Sequence, residues 1–331
     1  MGPPGKFGLH LGFTFDLRDE HLREGMTPEQ AAEFDKPETI DAIAAALEKL
    51  GHRVDRIGSV GRLAGRLVAG ERWDAVFNIA EGVSGFGREA QVPALLEAYG
   101  IPVVFSDPLT LALALHKGQT KRVVQAAGLR TPRFIVVDDP GEWSDAGLRY
   151  PLFCKPVAEG TGKGVGAKCL VNGREDLTGR VQDLFTRFSQ PVLVEEYLPG
   201  REFTAGVIGS GGKARVLGTM EVLLNGRAEP GAYSFDNKNQ YQERVEYRLA
   251  DDPEAAAAGR LALAAYRLLG CRDAGRVDIR SDASGMPAFI EINPLAGLNP
   301  VHSDLPILCR LLGKSFDDLI ADIMESAMER L

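Results

Sequence analysis

Two stretches near the carboxyl end of the chain carry charged and amide side chains at the spacing of a β-strand. Arg276 and Asp278 lie in the first stretch, and Glu291 and Asn293 in the second. Turn-forming residues separate them, which predicts a β-hairpin. A four-residue loop, 283–286, would place Asp278 opposite Glu291 and Arg276 opposite Asn293. Because side chains alternate along a strand, these four would share one face, and the other face would hold the apolar residues Val277, Ile279, Ile290 and Ile292.

Two carboxylates directly opposite each other repel, so an exposed sheet gains nothing from this arrangement. A hard cation removes the repulsion, and carboxylate and amide oxygens are the ligands that Mg²⁺ takes beside nucleotide phosphates. The pattern therefore indicates that Asp278, Glu291 and Asn293 form a site for Mg²⁺, or for Mn²⁺ in its place. An exposed sheet face of mixed charge is the alternative interpretation.

A glycine-rich segment, residues 155–166, lies between two strand-like runs. It contains four glycines within seven residues, and these can present backbone N–H groups to an anion. The segment lacks the Walker pattern, and the strand-like run on each side excludes a Rossmann turn. The pattern predicts a hairpin flap in which Lys155 directs a positive charge at phosphates. A flexible hairpin with turn glycines is the alternative.

A third segment combines an apolar strand with a polar strand end, Glu195-Glu196-Tyr197-Leu198-Pro199-Gly200. Such a strand end can offer adenine a flat apolar slot with backbone polar groups at its rim. Taken alone, the segment is equally typical of an ordinary strand end and turn.

The periodicity of the chain predicts three successive blocks, residues 1–105, 106–198 and 199–331. Strand and helix patterns alternate in the first block, which indicates a parallel sheet with crossover helices. Pro37 opens one of these helices and Gly51 closes it. The apolar face of that helix comprises Ile40, Ile43, Leu47 and Leu50. Short strands with glycine-rich turns follow in the second block, and strands and helices follow in the third.

Taken together, these segments resemble the ATP-grasp superfamily and most closely the D-alanine–D-alanine ligase family. The resemblance extends from about residue 77 to residue 306. The motifs that carry it include Phe77-Asn78-x-x-Glu81-Gly82, Ala127-Gly128-Leu129-x-Thr131-Pro132, Glu202-Phe203-Thr204, Arg276-Val277-Asp278 and Glu291-Ile292-Asn293. The resemblance implies a fold of α/β and α+β type with three lobes. A Rossmann-like N-terminal lobe would precede two ATP-grasp lobes that clasp ATP between them.

The resemblance also implies a role for each matching residue. Phosphates, adenine and ribose of ATP would be bound by Lys117, Lys155, Gly162, Glu195, Leu198 and Glu202. The metal ligands would be Asp278, Glu291 and Asn293. Catalysis would depend on Lys238, a mobile-loop lysine that reaches the γ-phosphate, and on two oxyanion donors, Arg276 and the backbone N–H of Gly297.

The half of the family pattern that binds amino acids is different in this chain. Glu81-Gly82 replaces His-Gly, Thr161-Gly162 replaces Ser-Ser in the flap, and Asn239 replaces a loop tyrosine. These differences speak against D-alanyl-D-alanine as the product. We expect substrate contacts from Glu81, Arg88, Thr161, Asn239, Asn299, His302 and Ser303. The alternatives are a helix-start charge for Glu81, a solvated arginine for Arg88 and a plain loop histidine for His302.

The composition limits which classes of partner and which cellular location we expect. The chain has 331 residues and a formal net charge of −8, which argues against nucleic acid as the main partner. No apolar run approaches the ~20 residues that span a bilayer, and the start of the sequence has no signal-peptide pattern, so we expect a cytoplasmic protein. Because the N-terminal lobe of such ligases often pairs, a homodimer is a further expectation.

The sequence therefore predicts a ligase that activates a carboxylate as an acyl phosphate and joins it to an amine, with release of ADP and phosphate. Its partners would be small amino-acid or carboxylate substrates. One alternative keeps this chemistry but adds an amino acid to the carboxylate of a small metabolite in a natural-product pathway. The other alternative is an ATP-binding protein without turnover. The presence of Arg276 beside the predicted metal ligands argues against it, because ATP binding alone would not need an oxyanion donor.

Overall fold

The computed structural model describes residues 8–227 and 241–331. Within these ranges the chain forms three β-sheets flanked by helices, one sheet in each of the three predicted blocks. The mixed α/β and α+β architecture is the predicted one, and the block boundaries themselves stay a prediction. None of the described helices has the length and apolar character that crossing a membrane requires.

The N-terminal sheet is parallel, as its alternating pattern predicts, and its strands lie in the order β2-β1-β3-β4. The strands are β1 His10–Thr14, β2 Arg53–Gly58, β3 Ala75–Asn78 and β4 Val103–Val104. Helices on both faces connect them: Arg18–Arg23, Pro37–Lys49, Val60–Val68 and Gln91–Ala98. Parallel strands bring their carboxyl ends to one edge, where loops can form a ligand site.

One helix of this lobe matches its prediction closely and another was missed. Pro37–Lys49 begins at the predicted proline and buries three of its four apolar residues, but Leu50 lies beyond its end and is 41% exposed. The placement of Leu50 on the buried face was therefore wrong. Val60–Val68 was not predicted because only Leu63 and Leu67 of that segment are buried, and two residues give a weak periodic signal.

The central sheet is antiparallel, with strands in the order β5-β8-β6-β7. These strands are β5 Phe134–Val137, β6 Leu152–Pro156, β7 Leu170–Val171 and β8 Val192–Glu196, and the helix Arg174–Phe188 covers them. β6 and β7 form the predicted hairpin around the glycine-rich flap. The second strand is shorter than expected, because a 3-10 turn, Ala167–Cys169, occupies its predicted start.

The C-terminal sheet is antiparallel as well, in the order β11-β10-β9-β12-β13. Its strands are β9 Glu202–Ile208, β10 Arg215–Leu224, β11 Val245–Leu249, β12 Ala274–Ser281 and β13 Pro287–Asn293. The helices of this half of the chain are Pro108–Leu115, Lys117–Ala126, Tyr241–Arg244, Pro253–Leu268, Asp304–Leu311 and Phe316–Met328. Side-chain caps fix several helix starts, such as Asp107, whose carboxylate accepts the Thr110 N–H at 2.9 Å.

The hairpin of β12 and β13 has the predicted register at its functional end. Asp278 pairs with Glu291, and Arg276 pairs with Asn293. The register then shifts by one residue, so that Ile279 faces Phe289 and Ile290 is the extra residue of a β-bulge. Ile290 was predicted on the core face, and this was wrong. The bulge turns it toward the cleft described below, and Phe289 fills the core.

A buried carboxylate ties the N-terminal sheet to the C-terminal half of the chain. Asp273 is fully buried, and its side chain accepts the Phe105 N–H at 2.7 Å. It also accepts the Ser326 hydroxyl at 2.9 Å and pairs with the Arg330 guanidinium. These contacts join the end of β4, the start of β12 and the last helix.

Candidate active site

A cleft lies between the central and C-terminal sheets, where the ends of β6, β8, β12 and β13 face one another. It brings together all six residues predicted to bind a nucleotide: Lys117, Lys155, Gly162, Glu195, Leu198 and Glu202. Two of the predicted metal ligands, Asp278 and Glu291, line the same cleft. The structure thus collects residues that lie far apart in the sequence at one site.

Two lysines from different elements face the cleft. The Lys155 ammonium lies 3.0 Å from Glu195 Oε1 and 3.8 Å from Glu291 Oε2. The Lys117 ammonium lies 3.7 Å from Glu291 Oε2 and donates to the Glu159 carbonyl at 2.5 Å. Burial disfavours the charge on Lys155, but Glu195 and Glu291 outweigh it and raise the pKa of that ammonium. For Lys117 burial prevails and lowers the pKa, although Glu291 opposes the effect.

Glu195 is held between two lysines. Its second carboxylate oxygen lies 2.8 Å from the ammonium of Lys121, which is fully buried and also donates to the Thr131 hydroxyl at 2.9 Å. Burial lowers the pKa of Lys121 to about 8. Burial works against the charge on Glu195, yet the two lysines lower its pKa. The row Lys121–Glu195–Lys155 therefore fixes the orientation of Lys155 toward the cleft. No pattern in the sequence predicted this function of Lys121.

Aromatic and aliphatic side chains form the slot expected beside the strand end of β8. Phe153 and Tyr197 stack with ring centroids 6.5 Å apart and an interplanar angle of 28°. The Arg280 guanidinium lies 4.7 Å from the centre of the Tyr197 ring and donates to its hydroxyl at 2.8 Å. Ile290 lines the slot from the bulge of β13. Phe153, Arg280 and Ile290 were missed, although Arg280 continues the alternation of Arg276 and Asp278.

The donor set of the predicted metal site fits a cation that is shared with phosphates. The Asp278 carboxylate accepts the Thr204 hydroxyl at 2.9 Å and pairs with Arg276. The Asn293 amide nitrogen is buried and has no hydrogen-bond partner among the described residues. Across residues 8–227 and 241–331, no group of three or more His, Cys, Asp or Glu could enclose a metal ion. As ligands, the three predicted residues Asp278, Glu291 and Asn293 would leave most of an octahedral shell to water and phosphate, which is how Mg²⁺ binds beside a nucleotide.

A second cavity, of about 320 Å³, adjoins the cleft. Three residues line both spaces: Lys117, Glu159 and Glu291. A cavity of this volume is large enough for small organic ligands. It is lined by five residues predicted to contact the substrate: Glu81, Thr161, Asn299, His302 and Ser303. Arg276, Asn293 and Gly297 line it as well, so the predicted oxyanion donors face this cavity.

The C-terminal wall of the cavity is held by short-range hydrogen bonds. The Asn299 amide donates to the Thr39 hydroxyl at 2.9 Å, and the Asn299 N–H donates to Ser303 Oγ at 3.0 Å. Arg276 lies 3.5 Å from a carboxylate oxygen of Asp304, at the start of the following helix. Burial and the charge of Lys36 lower the pKa of the partly exposed His302. The loop is therefore a fixed wall, and Thr39 and Asp304 were not predicted to belong to it.

The flap separates the cleft from the cavity. Thr161 lines the cavity and Gly162 lines the cleft, so the flap reaches both spaces. Glu33 anchors it, since its carboxylate accepts the Gly160 N–H and lies 2.9 Å from the Lys163 ammonium. Gly164 has a φ of +73°, and a Cβ there would lie 2.7 Å from the Pro156 ring, so only glycine fits this turn.

The wall formed by the N-terminal lobe carries three acidic side chains, alongside Arg18 and Lys36 of the same lobe. Glu81 follows β3, Glu89 lies in the 3-10 turn Arg88–Ala90, and Asp35 precedes the helix that begins at Pro37. All three carboxyl groups line the cavity. Asp35 and Glu89 were missed. The one feature that pointed to Asp35 is a charged stretch, 16–35, without helix or strand periodicity, which is typical of a functional loop.

Arg88 is not among the residues that line the cavity. Its buried guanidinium donates to the Ala158 carbonyl at 2.9 Å and lies 3.2 Å from a carboxylate oxygen of Glu33. Arg88 therefore supports the flap and its anchor. Lys238 and Asn239, predicted to act from a mobile loop, lie outside the described residues.

Two of the acidic groups predict how stability depends on pH. Burial raises the pKa of Asp35 to about 7 and that of Glu89 to about 7. The folded protein therefore keeps protons that the unfolded chain releases near pH 4, so stability falls as pH rises from about 4 to about 7. We expect Asp35→Asn to reduce the fall in the melting temperature between pH 5 and pH 7.5. Asp251→Asn, an exposed control, should retain the fall seen in the unmodified protein, and an unchanged slope in Asp35→Asn would contradict the prediction.

Comparison with known proteins gives a consistent result. Residues 123–325 match the family model described as D-ala D-ala ligase C-terminus. The chain is 34% identical over 328 residues to a D-alanine–D-alanine ligase from Bordetella petrii, and the alignment covers 98% of this chain and 92% of that protein. It is 34% identical over 305 residues to a D-alanine–D-alanine ligase from Desulforudis audaxviator, with 87% of this chain and 92% of that protein covered.

A solved structure is similar in fold. It is that of a D-alanine–D-alanine ligase from Bacillus anthracis complexed with ATP, with a TM-score of 0.73 and 20% sequence identity. The superposition covers 97% of this chain and 98% of that chain. All three lobes are therefore included in the structural similarity, whereas the family model covers the central and C-terminal parts.

Proposed function

Because the chain belongs to the D-alanine–D-alanine ligase family, whose members are ADP-forming ATP-grasp ligases, we propose that it joins two amino acids through an amide bond. The observation that carries this proposal is that the cleft and the cavity meet at Lys117, Glu159 and Glu291. A nucleotide in the cleft would direct its phosphates at a carboxylate in the cavity. Family membership does not favour an ATP-binding protein without turnover.

The cleft supports a specific orientation of ATP. We propose that adenine lies in the slot beside Phe153 and Tyr197, near the backbone of Leu198, with the ribose at Glu202. The triphosphate would then extend toward Lys155 and Lys117. Glu195 and Glu291 already hold these two lysines in place, so phosphate binding would not incur the entropic cost of ordering free lysine side chains.

Asp278, Glu291 and Asn293 would hold Mg²⁺ in this proposal. When bound, the ion would neutralise phosphate charge during phosphoryl transfer. Asp278 and Glu291 line the same cleft as Lys117 and Lys155. Negative groups for the cation and positive groups for the phosphates would therefore lie side by side. The Arg276–Asp278 ion pair orients the Asp278 carboxylate.

The residues around the cavity supply the remaining chemistry. The γ-phosphoryl group would pass to the carboxylate of the first amino acid, which gives an acyl phosphate and ADP. The amine of the second would then attack the carbonyl carbon, so that a C–N bond forms, the C–O bond to phosphate breaks, and the amine loses a proton. Arg276 and the Gly297 N–H would stabilise the oxyanion of this step, and one such donor contributes about 3–4 kcal/mol in comparable sites. The flap, anchored by Glu33, would exclude water.

The substrates of this chain are part of the proposal. The relatives are D-alanine–D-alanine ligases by name, but Glu81 and Thr161 replace the family residues at the cavity, so we propose a different pair of amino acids. Lys238 and Asn239 keep their predicted roles as part of the same proposal. The proposal also includes a homodimer, a cytoplasmic location and the absence of a nucleic-acid partner. A small-metabolite carboxylate as one substrate remains the alternative with the same chemistry.

The proposal is tested by ADP release from ATP and Mg²⁺ with amino acids of both hands, supplied singly and in pairs. We expect rapid release only when both substrates are present, with one ADP formed for each amide bond detected by mass spectrometry. Release of ADP without formation of an amide product would contradict it.

A further inference from the structure

A buried lysine beside the nucleotide cleft has no direct part in the proposed reaction. Lys121 lies on the helix Lys117–Ala126 and is fully buried. It is not among the residues that line the cleft or the second cavity described above, which we call the amino-acid cavity. Moving an ammonium group from water into a protein interior is unfavourable unless its charge is paired and hydrogen-bonded. The contacts of Lys121 therefore indicate what its charge does.

The Lys121 ammonium has an acceptor for each of its three N–H bonds. Its Nζ lies 2.8 Å from Glu195 Oε2. It also donates to the Thr131 hydroxyl at 2.9 Å and to the Phe289 carbonyl at 3.3 Å. Thr131 donates its own hydroxyl proton to the Phe289 carbonyl at 2.9 Å, so its oxygen accepts from the lysine. A neutral amine has two N–H bonds for three acceptors, so these surroundings match the charged form.

Lys121, Glu195 and Lys155 form a row of charges that leads from the interior to the nucleotide cleft. Glu195 Oε2 lies beside Lys121, and its Oε1 lies 3.0 Å from the Lys155 ammonium, which lines the cleft. The row contains two positive charges and one negative charge, so one positive charge remains for an anion. The other carboxylate near Lys155, that of Glu291, is shared with Lys117. Without Lys121, Glu195 would neutralise Lys155.

We propose that Lys121 is a positioning residue for nucleotide binding, which holds Glu195 and balances its charge so that Lys155 attracts the phosphates of ATP. The inference rests on the proposed function, because it concerns the nucleotide that the cleft would hold. Lys121 does not touch the nucleotide in this proposal. Its effect reaches the cleft through Glu195, whose two carboxylate oxygens each lie next to one lysine.

The first test replaces Lys121 by methionine, which has a side chain of similar length without a charge. The pair of Lys155 and Glu195 would then be neutral. We expect the dissociation constant for ADP with Mg²⁺, measured by isothermal titration calorimetry, to rise at least about tenfold, the scale of one interaction between unit charges in a protein. Lys213→Met, at an exposed position, is the matched control and should bind ADP as the unmodified protein does.

The outcomes of this test are distinct. Equal ADP binding by Lys121→Met and the unmodified protein would overturn the inference and leave the proposed function intact. Absence of ADP binding by the unmodified protein would overturn the proposed function and the inference together.

A double variant distinguishes the effect of charge from that of structure. Lys121→Met combined with Glu195→Gln again leaves one positive charge in the row, that of Lys155. We therefore expect the double variant to recover most of the ADP affinity that Lys121→Met loses. If Lys121 served only as a structural contact, removal of a second charge from the row would weaken binding further. A double variant that binds ADP no better than Lys121→Met would contradict the proposal.

The pH dependence of ADP binding provides a third test. Burial lowers the pKa of Lys121 to about 8, Lys155 adds to this decrease, and Glu195 and Glu291 oppose it. Because a bound anion favours the charged form, ADP should bind more weakly as pH rises from about 7.5 to about 9.5. The dissociation constant of Lys121→Met should change less over this range, since Lys117, whose pKa burial also lowers, is present in both proteins.

Two results of the pH series would overturn the inference. One is an ADP affinity of the unmodified protein that stays constant between pH 7.5 and pH 9.5, which decides the question even where the variants fail to fold. The other is an equally steep change of the dissociation constant in Lys121→Met.

Discussion

Replacement of Glu291 by glutamine is expected to lower kcat about a thousandfold, the scale of electrostatic stabilisation in phosphoryl transfer. Glu291 lines both the nucleotide cleft and the amino-acid cavity, and its Oε2 lies 3.7 Å from the Lys117 ammonium and 3.8 Å from the Lys155 ammonium. Glutamine has nearly the same size, so the hairpin of β12 and β13 should keep its register. The loss would therefore come from charge at the point where the two spaces meet.

Two physical effects combine in this variant. Glutamine is a poorer ligand for Mg²⁺ than a carboxylate, so the concentration of Mg²⁺ needed for half-maximal rate should rise. In addition, Glu291 opposes the effect of burial on Lys117, so the pKa of that ammonium should fall further in the variant. As pH rises, the residual rate of the variant should therefore begin to fall at a lower pH than the rate of the unmodified enzyme does. Steady-state rates across pH and Mg²⁺ concentration measure both effects.

Glu325→Gln is the control for this change. Glu325 is exposed on the last helix, so the variant has the same change of charge without a change at the site. Its rate and its melting temperature should match those of the unmodified protein. A Glu291→Gln enzyme with unaltered kcat and normal thermal unfolding would refute the assignment of Glu291 to the reaction centre.

Arg276→Lys is expected to lower kcat by about a hundredfold to a thousandfold, the effect of removing one oxyanion donor in other enzymes. Arg276 is buried, pairs with Asp278, lies 3.5 Å from Asp304 and lines the amino-acid cavity. Its planar guanidinium can hold Asp278 and still direct another N–H at the cavity. Lysine keeps the positive charge that the two carboxylates need, but its single ammonium group cannot reproduce this geometry.

The kinetic pattern distinguishes this role from a general loss of structure. We expect kcat to fall while KM for ATP changes little, because the nucleotide slot beside Phe153 and Tyr197 lies away from Arg276. Arg260→Lys, at an exposed position of the helix Pro253–Leu268, should have no effect on either constant. If Arg276→Lys retained full kcat, the oxyanion assignment would have to be abandoned.

The sequence by itself determined the parts of this protein that depend on local pattern. The period of two along β12 and β13 predicted that Asp278 faces Glu291 and that Arg276 faces Asn293, because a short hairpin leaves few registers. Proline and glycine marked the ends of the helix Pro37–Lys49, since they restrict or permit particular backbone angles. The family motifs were recognisable for the same reason, because each is contiguous.

Tertiary structure alone decided which distant side chains meet. The bulge that turns Ile290 into the cleft depends on how β13 packs, which alternation along one strand does not encode. The anchor Glu33 and the position of Arg88 behind it arise from contacts between segments more than fifty residues apart. The wall of the N-terminal lobe likewise gathers Asp35, Glu81 and Glu89 from three separate segments. Charge compensation is a property of spatial neighbours, so it became apparent only in the folded protein which carboxyl groups of residues 8–227 and 241–331 form ion pairs with neighbouring cations and which do not.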